Sequence, residues 1–151
     1  MYIEIIKTLI FHVLMLTVIV PCYAAADSAS GVTGQWLTFD EETGEKRSII
    51  LIRENREKIY GQIINVFFKP DDETKCINCA GEKYNQDIVG LEIFSGLTKH
   101  SDVWQGSTIL DPENGKEYEA VLWLEENDLK VRGYIFMFYR TQTWKRMLRK
   151  E

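Results

Sequence analysis

Histidine is nearly absent from this chain, with two residues in 151, and the first of them, His12, falls in a segment that reads as a removable leader. Serine nucleophiles normally need a histidine base held by an acid. His100 stands in the polar turn LTKHSD, there is no Gly-x-Ser-x-Gly elbow, and His100 therefore reads as a solvated loop residue. Phosphate-cradling glycine loops are missing as well. The acids Glu125-Glu126 and Asp111-x-Glu113 lie in turns, where they serve solvation and turn geometry. Net positive charge is also lacking: at −5 the chain is a poor partner for nucleic acid. No segment shows a long amphipathic helical period, and no apolar run reaches the roughly 20 residues that cross a bilayer.

The longest apolar run, Leu9 to Val20, follows Lys7 and precedes Pro21 and the small-residue stretch Ala24-Ala25-Ala26. That order is the pattern of a secretory signal peptide over residues 1–24, cut after Ala24 or after Ala26. Lipidation at Cys22 is disfavoured by Pro21 just before it. Residues 25–33 read as a flexible linker and 34–151 as one domain of ordinary size. The expected location is the periplasm or the exterior. The closing segment gathers Lys145, Arg146, Arg149 and Lys150, a basic tail that reads as a solvated end or a contact for an acidic partner.

Of three cysteines, Cys22 leaves with the leader, so Cys76 and Cys79 remain in an oxidising compartment and a disulfide staple is the default. A redox pair needs a thiolate stabilised at a helix start, and AGEKYNQD after Cys79 has no helical apolar period. Zinc needs about four ligands. Only His100 and the loop acids Asp71, Asp72, Glu73 and Glu82 are at hand for it. Neither metal nor cofactor is expected.

From Gly34 onward, β-prone runs alternate with turn signals: QWLTF, RSIILIR, IYGQIINVFF, IVGLEIF, VWQGSTIL, EYEAVLWLE, LKVRGYIFMFY and TQTWKRML, the last a strand or short helix. About eight strands joined mainly by hairpins make an all-β chain, an antiparallel barrel or sandwich. In DPENGK, Asp111 suits the turn and Gly115 tolerates positive φ. LKVRGYIFMFY, taken as one strand, places Leu129, Val131, Gly133, Ile135 and Met137 on one face. Lys130, Arg132, Tyr134, Phe136 and Phe138 share the other. In a barrel, the aliphatic face packs in a layer and the aromatic face looks into a cavity, with Arg132 as a polar fixture. The alternative is that both faces are core.

The pieces GQWLTFDEETGEKRSIILI, the Cys76/Cys79 pair, IVGLEIFSGL, Trp104-x-Gly106, ILDPENGKEY, LKVRGY and RTQTWKR occur in one order over nearly the whole mature chain. In that order they resemble the exported bacterial proteins filed as domain of unknown function 2147. The resemblance implies a single lipocalin-like β-barrel in the Gram-negative envelope, with no assigned catalytic activity. It also implies that Trp36, in Gly34-x-Trp36, packs its indole against Arg146 or Arg132 to close the barrel floor. The chain departs from the family pattern at YIFMFYR, where glycines are usual after the Tyr and before the Arg. Phe136 and Tyr139 stand there instead, and their bulk is expected to narrow a cavity.

Three functions fit. The first is non-catalytic binding of a small apolar or amphipathic molecule, with Tyr60, Arg132, Tyr134 and Phe136 as cavity wall and Trp36, Asp111, Gly115, Trp144 and Arg146 as structural residues. The second is an envelope protein-interaction module with a filled barrel. The third is a thiol enzyme using Cys76 or Cys79. The long CINC loop is the candidate lid or rim.

Overall fold

A computed structural model describes residues 31–147. The proposed leader, most of the linker, and Arg149 and Lys150 of the basic tail lie outside the described residues. Nine strand segments follow one another: β1 Gly34–Phe39, β2 Lys46–Asn55, β3 Lys58–Val66, β4 Glu92–His100, β5 Val103–Gln105, β6 Thr108–Asp111, β7 Lys116–Glu125, β8 Asp128–Ile135 and β9 Phe138–Arg146.

All pairings are antiparallel, and they run around a closed circuit from β1 through β2, β3 and β4 to β7, β8, β9 and back to β1. β5 and β6 both lie between β4 and β7 and together form one stave, interrupted at Gly106-Ser107. The result is an eight-stave barrel, all-β as the strand-and-turn pattern of the sequence implies. TQTWKRML supplies a strand through Arg146 and no helix. The circuit closes through a short seam, in which β1 and β9 pair only at Trp36–Arg146 and Leu37–Lys145.

Period-two alternation decides what fills the barrel. Ile50 and Ile52 of β2, Ile59 and Ile63 of β3, Leu122 of β7 and Leu129 and Val131 of β8 are all buried. Phe94 lays its ring over Gly61, where a Cβ would sit 2.2 Å from the ring. Gly61 thus makes room for an aromatic inside the wall.

One end is closed. Trp36 is fully buried, its Nε1 donates to the Val32 carbonyl at 2.8 Å, and the Arg146 guanidinium lies 4.2 Å from its ring centroid. Arg146 also donates to the carbonyls of Thr33, at 3.1 Å, and of Gly31. Trp36 and Arg146 are direct partners across β1 and β9, so the barrel's first and last strands are locked by one stacked pair. Burial lowers the Arg146 pKa from its usual value. Arg132 takes no part in this closure.

Candidate functional site: the cavity at the open end

The end opposite Trp36 opens into a cavity of about 670 Å³. Its deeper lining is apolar and includes Ile63, Ile93, Ile109, Val131 and Trp144. Small side chains keep that space free: Gly133 faces inward beside Tyr118, whose Cβ would be 3.1 Å from any Cβ added there. Trp144 is buried with its Nε1 donating to Gln142 Oε1 at 3.0 Å. Thr38 and Ser48 satisfy each other at 2.7 Å between hydroxyls.

Charge gathers at the mouth. Arg47 pairs with Asp40 at 3.6 Å and with Glu113, and Arg140 Nε donates to Glu41 at 2.5 Å. That bond raises the Arg140 pKa. Asp111 lines the same space and accepts from the Glu113 backbone N–H at 3.0 Å and from the Asn114 amide at 2.8 Å. Burial raises its pKa in spite of Arg47 and Arg140 nearby. The mouth therefore offers a carboxyl that holds its proton more readily than usual, between two guanidinium groups already shared with acids.

The 67–91 connection builds one side of the rim. Cys76 and Cys79 are joined by a disulfide with a Cα–Cα distance of 5.3 Å, and both are buried. Around them the backbone is hydrogen-bonded: Cys76 N–H to Gln86 O at 2.8 Å, Asn85 N–H to Cys76 O at 2.9 Å and Ile88 N–H to Thr74 O at 2.9 Å. The following helical turn, Gly81–Lys83, is a single 3-10 turn that begins two residues after Cys79. The staple docks on the β6–β7 turn. Asn78 Nδ2 donates to the Glu113 carbonyl at 2.7 Å, and a Cβ on Gly115 would lie 1.8 Å from the Asn78 oxygen. Gly115, with φ of 70°, is thus required both by its own turn and by the loop lying on it. Asp72 and Glu73 accept backbone N–H bonds from Lys69 and Lys75 within this loop.

The residues expected to wall the cavity do not do so. Tyr60 lies on the outer face of β3, between the inward Ile59 and Gly61. Arg132 and Tyr134 lie on the outer face of β8, opposite the inward Val131 and Gly133. Arg132 stacks there against Trp123 at 5.0 Å and Tyr139 at 4.3 Å, and its Nε donates to Thr141 at 2.8 Å. LKVRGYIFMFY is moreover not one strand: it turns at Phe136-Met137, so Phe138 begins β9 and faces inward. Phe136, almost wholly exposed, points away and narrows nothing.

The residues that do reach the mouth and were not foreseen are Arg47, Tyr118 and Arg140. Arg140 owes its place to the hairpin at Phe136-Met137, which pairs it with Gly133 on the inner face. His100 sits at the far end of β4, exposed, its Nε2 3.2 Å from the Thr98 hydroxyl.

A family model described as "Uncharacterized protein conserved in bacteria (DUF2147)" matches residues 34–146, the barrel from end to end. Among solved structures, the chain is similar to a Helicobacter pylori protein titled "Protein HP1028 from the human pathogen Helicobacter pylori belongs to the lipocalin family". The TM-score is 0.66 and the identity 20%, covering 78% of this chain and 84% of that one. At that identity the likeness concerns the fold. No curated protein matches the sequence.

Proposed function

Because the chain belongs to the bacterial family of domain of unknown function 2147 and has a lipocalin-like barrel, we propose that it binds a small apolar or amphipathic molecule in the open-end cavity, without catalysis. One observation carries the reading: a cavity of about 670 Å³ with an apolar floor and a polar mouth. That volume lies within the roughly 300–1,000 Å³ typical of small-molecule sites. The ligand's apolar body would rest on Val131, Ile93 and Trp144, with its polar end among Arg47, Asp111 and Arg140. A barrel filled by its own side chains would leave no such space.

We place the protein in the periplasm. The leader pattern and a stapled cysteine pair, which suits an oxidising compartment, both support that location.

Titration with the fluorescent apolar probe anilinonaphthalene sulfonate tests the cavity. Saturable uptake by the wild type is expected, reduced at least tenfold in Ile109→Trp, which fills the space, and unchanged in Arg132→Ala on the outer wall. Equal uptake by wild type and Ile109→Trp would overturn the reading. Native mass spectrometry of protein taken from its own periplasm then reads the retained ligand and the amino terminus, expected at residue 25 or 27.

A further inference from the structure

The tip of the β8–β9 hairpin is the most exposed large apolar feature among the described residues, with Phe136 97% and Met137 90% exposed. Phe136 also has a φ of 54°, a conformation that glycine adopts freely and a phenylalanine does not. A bulky apolar side chain held in an unfavourable backbone conformation and given to water costs the fold twice. Nothing among the described residues covers the tip, so an external contact is the natural source of an offset.

The position of the tip narrows what that is. Ile135 and Phe138, directly behind it, line the cavity, so apolar surface runs from the floor out to the tip. Across the mouth, on the connection leaving β3, Phe67 and Phe68 are likewise partly exposed and also line the cavity. Two apolar knuckles thus flank one opening.

We propose that the β8–β9 tip, with Phe67 and Phe68, dips into a zwitterionic phospholipid surface and holds the cavity mouth against it. A narrow convex tip whose side chains point outward suits a fluid that closes around it. A rigid protein partner would need a groove and a broader contact area. Tyr139, two residues after Met137 and 61% exposed, has the ring and hydroxyl that favour the headgroup level. Anionic lipid is disfavoured by the net charge of −5 and by Asp71, Asp72 and Glu73 on the same connection as Phe67 and Phe68. The inference rests on the cavity reading only for the cargo: a ligand would pass between bilayer and floor without crossing water.

The test is co-sedimentation of the exported, leader-processed protein with phosphatidylcholine/phosphatidylethanolamine vesicles, in low and high salt. Wild type is expected to bind in both. Phe136→Gly, which removes the side chain and relieves the backbone, and Met137→Ser are each expected to lose binding about tenfold without loss of thermal stability. Absence of wild-type binding would overturn the proposal, as would binding that both variants retain. A concentration-dependent dimer abolished by Phe136→Gly would overturn it in favour of a second copy. Vesicle binding kept by Ile109→Trp, together with unaltered probe uptake in Phe136→Gly, separates the fate of this proposal from that of the cavity.

Discussion

Gly115 shows how one residue can serve two distant segments. Its positive φ could be read from Asn114-Gly115 in DPENGK, but the Asn78 carbonyl lying where its Cβ would be could not, because that contact joins loops far apart in sequence. Gly115→Ala must therefore displace the CINC loop as well as strain the turn, at a cost of about 2–4 kcal/mol in urea unfolding. Asp111 was legible as a turn former and as a possible partner of Arg132 or Arg140. Its place at the cavity mouth follows from the pairing of β6 with β4 and β7. Since burial raises its pKa above the ordinary 3.8, the folded chain holds this proton more tightly than the unfolded chain. Its contribution is thus a penalty that is absent at low pH, grows as pH rises from about 3.8 through the folded pKa, and is complete above it. In unfolding measured across a pH series, Asp111→Asn should gain on the wild type through that window.

Among elements, the β8–β9 hairpin holds both the best and the worst of what the sequence revealed. Alternation in LKVRGYI was plain, and its two faces are those observed. Which face looks inward was not. Aromatics with an arginine suggested a pocket, yet on β8 they make an external stack of Arg132, Trp123 and Tyr139, while small Val131 and Gly133 leave the interior open. The turn was hidden because Phe136 and Met137 carry no turn signal. Phe136→Gly is expected to raise stability by roughly 1 kcal/mol, read by chemical denaturation, as the left-handed conformation becomes free of cost. The CINC loop behaves differently. Its small covalent ring is worth only about 2 kcal/mol in the loop-entropy model. Reduction should leave the barrel folded and remove hydrogen-exchange protection from the amides of Cys76, Asn85 and Ile88, a pattern that mass spectrometry resolves.

For the whole molecule, the all-β class and approximate strand count were legible because hairpins are local and the turns other than β8–β9 are marked by polar or glycine-bearing residues. The break at Gly106-Ser107 was not, since VWQGSTIL reads as one strand and is split only by how β4 and β7 receive it. Closure depends on the pair that joins the circuit's two ends. Arg146→Ala removes a stacked guanidinium and its bonds to two carbonyls, and should cost about 2–3 kcal/mol in thermal or urea unfolding. The same pair fixes where the chain enters and leaves. Gly31 and Thr33 are bound by Arg146, and the Met147 N–H donates to Gln35 O at 2.9 Å, so both ends of the described residues lie at the base of the cup. A surface tether joined at Gly31 or Met147 would hang from that base, leaving an immobilised barrel with its rim turned toward the solution and free to sample what is offered there.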